Sequence, residues 1–177
     1  NIVAGLVQKE LSVAFAMDLH IYDNKIQSIT FHNVIIRVDR NFRYEESDLL
    51  ESSCYRRIVS RMEELNMKVE NSYKFIEKWM IYFNSKIGET LSRYKKGIYR
   101  YCTVDGVVEK QVSQELQQYM QWQDTHSGYA LYSPGLAHSV LGITYYTQMS
   151  SPIRRIVDMI NMIEVHLALG LCVLSEE

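Results

Sequence analysis

The residues best placed to do chemistry lie near the end of the chain, in Ser150-Ser151-Pro152-Ile153-Arg154-Arg155-Ile156-Val157-Asp158. Hydroxyl side chains cap helix N-termini and proline is tolerated in a first turn. The run therefore predicts a helix over 151–173, with Ile153, Ile156, Val157, Ile160, Ile163 and Leu167 as its apolar stripe. Two arginines in that first turn oppose the helix dipole by roughly 0.3–1 kcal/mol each unless something negative sits nearby. Asp158 follows Arg154 at the i,i+4 spacing at which a carboxylate can hold a guanidinium in a fixed orientation. With Ser151 at the cap, an oriented Arg154 and a second cation, Arg155, suit a phosphodiester. The same residues also suit an arginine pair on a solvated face, tied to local carboxylates.

The elements that must position these groups read as an α+β fold, a mixed sheet or meander with packed helices. Leu11, Val13, Phe15, Met17 and Leu19 alternate as in a half-buried strand, Asp23-Asn24 supplies a turn, and Ile26 to Ile36 return as extended segments. From Tyr44 the pattern changes: Glu45, Glu46 and Asp48 place acidic charge in the first turn of a short helix. A second helix is expected over 56–67, and a third from an Asn71-Ser72 cap to about Tyr94, with Phe75, Trp79, Tyr82, Phe83 and Ile87 inward. Arg93, Lys95, Lys96 and Arg100 suggest a cationic helix end, either a solvated face or a phosphate contact. A Val-Asp-Gly-Val turn at 103–108, a polar helix at 111–122, a loop at Ser133-Pro134-Gly135 and irregular or short extended structure from Leu136 to Gln148 follow. In outline, 1–43 is strand-rich and 44–177 mainly helical, within one partial domain.

Residues 145–161, Tyr-Tyr-Thr-Gln-Met-Ser-Ser-Pro-Ile-Arg-Arg-Ile-Val-Asp-Met-Ile-Asn, resemble the signature of the ribonuclease II / ribonuclease R family, Tyr-x-x-x-Thr-Ser-Pro-Ile-Arg-Arg/Lys-x-x-Asp. Ala130-x-Tyr132-Ser133 and His138 followed by Leu141-Gly142-Ile143 are similar to the family's approach to that motif. Phe75-Ile76-Glu77-Lys78-Trp79-Met80-Ile81-x-x-Asn84 is similar to its Val-Glu-Glu-x-Met helix ending in Asn, and Phe42-Arg43-Tyr44-Glu45 to its Leu-x-Tyr-Asp/Glu segment. The matches keep the family's order and cover most of the chain. The resemblance implies a 3′→5′ hydrolytic exoribonuclease that uses Mg2+ to release nucleoside monophosphates from single-stranded RNA. By that resemblance Arg154 contacts the scissile phosphate and is the catalytic residue, and Arg155 holds substrate phosphate. Tyr44 contacts the last base and Glu77 fixes the terminal nucleotide, with Asp158 and Ser151 in support. Read without the family, Tyr44 is a strand-end aromatic, Glu77 a surface ion pair with Lys74 or Lys78, and His138 a satisfied core group.

The sequence also departs from the family. Ser150 stands for its Thr, Lys78 for the second Glu, and Met162-Ile163 for its His-Arg pair. The family's metal-holding aspartate cluster has no counterpart, since Asp18, Asp23, Asp39 and Asp48 are dispersed, so no metal ligands are assigned. That loop would precede Asn1, and both ends read as cut from a longer chain, with the remainder of the catalytic domain or other subunits as partners. The alternative is a catalytically inactive ribonuclease II-like protein that binds RNA or scaffolds a complex. With 177 residues and a net charge of −2, the chain lacks the strongly basic footprint of a general nucleic-acid binder. Cys54, Cys102 and Cys172 show no C-x-x-C spacing and read as buried, reduced thiols. No apolar run approaches the roughly 20 residues of a bilayer helix, so a soluble, intracellular protein without membrane contact is expected.

Overall fold

The computed structural model describes residues 8–104 and 125–173, and its fold is α+β. The turn expected to end at 108 and the polar helix over 111–122 lie largely or wholly outside the described residues. Where length suggests one domain, the chain divides into two compact units, one up to Tyr82 and one from Phe83 onward. The division falls within a long helix.

The first unit opens on an antiparallel hairpin of β1 (Leu11–Tyr22) and β2 (Lys25–Arg37). Asp23 and Asn24, with φ of 50° and 52°, make the two-residue turn, the left-handed pair that matches the twist of a hairpin and that Asp and Asn tolerate. Phe15 and Phe31 stack across the ribbon at 5.8 Å. The expected alternation fails at the far end, where Leu11 and Val13 are exposed and Ser12 is buried. A two-stranded ribbon twists strongly, so the face turned inward near the turn is not the inward face twelve residues away. Next come α1 (Ser47–Glu51), α2 (Ser53–Glu64) and the start of α3 (Ser72–Arg93). Asn71 Oδ1 accepts the N–H of Lys74 at 2.8 Å, the cap expected for α3. Glu45, at φ 57°, lies outside α1 rather than in its first turn, while Glu46 is the N-cap and Asp48 is the acid of that turn.

The second unit holds a four-stranded sheet in the order β4-β3-β5-β6, from β3 (Ile98–Val104), β4 (Thr125–Leu131), β5 (Ala137–His138) and β6 (Ile143–Thr144). β3 pairs antiparallel with β4 and parallel with β5, where Cys102 faces His138. The sheet lies within 44–177, the stretch read as mainly helical, where helices still outweigh strands among the described residues. The cations expected on one helix end are separated here, because α3 stops at Arg93 and Lys95 and Gly97 take positive φ. Arg100 consequently sits in a strand. The final helix, α4 (Ile156–Ala168), starts five residues later than the expected 151 and ends before 173. Arg155, extended at φ −131°, breaks the chain between the Ser-Pro turn and the helix.

The buried face of α4 is also not its apolar stripe. Asp158, Asn161 and Val165 are buried, whereas Ile156 and Ile163 are exposed, as is Ile153 ahead of the helix. Polar side chains therefore join Ile87, Leu91, Tyr99, Tyr146 and Met149 in this core. Of the cysteines expected to be buried only Cys102 is; Cys54 and Cys172 are exposed. Among the described residues no helix is long and apolar enough to cross a membrane.

Candidate functional site

The Arg154 loop is built from hydrogen bonds that local sequence rules do not anticipate. Ser151 accepts the N–H groups of both Arg154 and Arg155 through its carbonyl, at 3.2 Å each, which closes a turn ahead of α4. Asp158, fully buried, accepts the N–H of Ser151 at 2.7 Å. Its arginine partner is Arg155 rather than the expected Arg154. Arg155 Nη2 donates to Asp158 Oδ2 at 2.8 Å, and Nε lies 2.7 Å from Oδ1, an ion-pair contact without hydrogen-bond direction. An extended Arg155 places its side chain i,i+3 from Asp158, and a carboxylate so engaged has no need of Arg154.

The two arginines are thus distinguished. Arg155 is largely buried and bound, whereas Arg154 is exposed and has no carboxylate within ion-pair distance among the described residues. Arg154 is a planar cation with its donors available to an anion, on a loop held by buried partners.

Upstream, the loop is fastened to two asparagines. Asn161 Oδ1 accepts the N–H of Ile98 at 2.8 Å, and its Nδ2 donates to the carbonyls of Ile98 and Gln148 at 2.9 and 3.0 Å. Asn84 on α3 accepts the N–H of Met149 at 3.0 Å and donates to Tyr146 Oη at 3.3 Å. Both asparagines belong to motif segments of the sequence, in which the resemblance gives neither a role. The available signal was an amide on an otherwise apolar helix face, which must find partners once buried. His138 packs edge-on to Tyr146 at 5.3 Å, and burial pushes its imidazole below the ordinary range, toward the neutral form. Burial likewise pushes the Tyr146 phenol up.

Tyr44 and Glu77 lie in the first unit. Tyr44 is half exposed and stacks on Tyr73 with ring centroids 4.0 Å apart. The pair is set by a reciprocal clasp between the residues beside it. Glu45 accepts Ser72 N–H at 2.7 Å and Ser72 Oγ–H at 2.5 Å, while Glu45 N–H donates to Ser72 Oγ at 3.0 Å. Those hydrogen bonds hold the Glu45 carboxyl below the usual carboxylate range. Tyr44 also lines a cavity of about 340 Å3 with Phe42, Leu49, Tyr55, Phe75 and Ile76, at which Arg43 and Ser72 are the polar groups. Glu77 does not line that cavity; it pairs with Lys74 at 2.6 Å on an exposed helix surface.

Metal ligation is not supported by these residues. Among the described residues no three of His, Cys, Asp or Glu are grouped to hold an ion. Asp18 faces His32 at 3.5 Å, Asp39 faces Arg37 at 4.0 Å, and Asp48 pairs with Arg40 at 2.7 Å. The described residues do not fit the Mg2+ that the resemblance implies. No protein-family model and no curated protein matches this chain. Each unit thus carries its own candidate: in the second, an exposed arginine on a loop held by buried hydrogen bonds, and in the first, an apolar cavity walled by a tyrosine.

Proposed function

We propose that this chain holds single-stranded RNA as part of a ribonuclease II-like 3′→5′ exoribonuclease, with Arg154 on a backbone phosphate and Tyr44 against a base. The observation that carries the reading is the division of labour between the arginines: Asp158 secures Arg155, and Arg154 is left exposed, with no carboxylate at ion-pair distance among the described residues, on a loop with buried supports. An uncompensated guanidinium on a well-held backbone is suited to charge-assisted bonds with phosphate oxygens. The cavity beside Tyr44 adds an apolar, aromatic wall with few polar groups, which suits a base without reading its identity.

Hydrolysis requires carboxylates from beyond the described residues, and no step of it is assigned to this chain. A second reading, an RNA-binding or scaffolding subunit without activity, is favoured by the dispersal of Asp18, Asp39 and Asp48, which face His32, Arg37 and Arg40 respectively. Anisotropy of a 5′-labelled oligouridylate in a buffer with chelator tests the shared part. Arg154→Ala is expected to weaken binding by about 10- to 100-fold, the worth of a lost charge-assisted contact. Equal affinity of the two proteins would overturn the reading. Adding Mg2+ separates the alternatives: release of uridine monophosphate from the 3′ end marks the exoribonuclease, and an intact oligonucleotide marks the binding subunit.

A further inference from the structure

Asn84 is 1% exposed, and its polar atoms spend themselves on one short run of chain. Oδ1 accepts Met149 N–H at 3.0 Å, Nδ2 donates to Tyr146 Oη at 3.3 Å and lies 3.5 Å from Ser150 Oγ, and the Asn84 carbonyl accepts Thr147 Oγ–H at 2.9 Å. That run ends on Ser150, next to Ser151, whose N–H is fixed by Asp158 and whose carbonyl receives the N–H groups of both arginines. One turn further along α3, Gly88 lies so close to the run that a Cβ there would sit 1.7 Å from the Tyr145 carbonyl oxygen. Tyr145 itself takes φ 62°, an uncommon conformation for an aromatic residue. An apolar side chain at position 84 would fill the same space but would leave the Met149 N–H without a partner. The amide serves the path of the loop, and packing alone does not call for it.

We infer that Asn84 is a positioning residue for Arg154: it fixes the run 146–150 and thereby the turn from which the Arg154 guanidinium projects. The inference rests on the RNA reading above, and it concerns a residue that touches no substrate. Loss of the amide frees the loop, and Arg154 then pays ordering entropy on meeting a phosphate.

The test is a double-mutant cycle on oligouridylate affinity in chelator. Asn84→Ala is expected to weaken binding by about 5- to 30-fold, from the loss of buried amide hydrogen bonds. In an Arg154→Ala background the same substitution is expected to change affinity by less than about twofold, because the group it positions is gone. A merely structural residue would weaken binding by the same factor in both backgrounds, and that additivity overturns the inference. Thr147→Val, which deletes only the hydroxyl bonded to the Asn84 carbonyl, carries the test if Asn84→Ala does not fold. It is expected to lose about two- to fivefold in the Arg154 protein and nothing beyond error without Arg154. If Arg154→Ala alone leaves affinity unchanged, the RNA reading fails and this inference with it. If Arg154→Ala weakens binding but neither Asn84→Ala nor Thr147→Val does, the inference alone fails.

Discussion

Tyr44 and Arg154 are both exposed side chains offered to a ligand, but the two units support them differently. Around Arg154 the supports are buried polar groups: Asp158, Asn161 and Asn84 are each no more than 1% exposed. Around Tyr44 the supports are an aromatic stack on an exposed Tyr73 and a clasp in which the exposed Glu45 meets a buried Ser72, so one partner of each support is open to water. Burial decides what such supports are worth. A polar group inside the protein that loses its partner keeps its full desolvation penalty, whereas one at the surface falls back on water. The Arg154 loop should therefore be coupled to the stability of its unit, and Tyr44 should be removable with little consequence for folding.

The largest expected effect probes the buried side of this contrast. Asp158→Ala orphans the Ser151 N–H and leaves the Arg155 guanidinium, whose side chain is 28% exposed, without its carboxylate. Breaking such a pair costs about 3 kcal/mol, the low end of the buried range, because Arg155 keeps some water. A fall in the urea midpoint with an unchanged slope would register it. A variant as stable as the parent would show that the loop does not depend on Asp158.

The smaller counterpart is Tyr44→Ala. Removing a ring that stacks on a base costs about 1–3 kcal/mol of RNA affinity. The urea midpoint should move by the equivalent of no more than about 0.5 kcal/mol, as at other surface positions. If stability instead fell as far as in Asp158→Ala, the contrast between the units would be wrong, and Tyr44 would be a packing residue of the first unit.

The same contrast explains which parts of the fold were legible in the sequence. The Asp23-Asn24 turn, the Asn71 cap, the span of α3 and the presence of α2, though it runs three residues earlier than the expected 56–67, follow from short-range rules, in which a residue acts on backbone within four positions of itself. The start of α4 obeys no such rule. Ser151-Pro152 has the composition of a helix start, but Asp158 draws the Ser151 N–H and Arg155 into a separate turn, and the helix begins only at Ile156. The inward face of α4 escapes local rules for a related reason. Apolar periodicity selects Ile156 and Ile163, while Asn161 is drawn inward by Ile98 and Gln148, partners 63 and 13 residues away. Arg154 and Tyr44 were legible as candidates from the motif resemblance. The residues that hold them, Asn84 and Asn161 for one and Glu45 and Ser72 for the other, depend on contacts that no local pattern encodes.

The mildest prediction concerns the clasp between Glu45 and Ser72 and is read by pH. The Glu45 carboxyl titrates below its ordinary value of 4.5 because Ser72 donates to the ionised form through its hydroxyl and its backbone N–H. A group whose folded pKa is depressed contributes stability that is present above its ordinary value and is lost as pH falls through the lowered one. The first unit should accordingly lose a small increment of stability as pH drops below about 4.5, beyond what its other carboxylates contribute. Ser72→Ala removes the hydroxyl donor and should flatten that increment, while the backbone donor keeps part of it. Parallel acid-unfolding curves for the parent and Ser72→Ala test this, read by circular dichroism between pH 6 and about 2.5, the window around ordinary carboxylate titration. Curves that differ equally at pH 6 and pH 3 would mean that the clasp acts through packing of Ser72 and not through the charge on Glu45. Curves that converge in acid would place Tyr44 beside a support held by the charge on an exposed carboxylate, whereas the carboxylate beneath Arg154, Asp158, is buried.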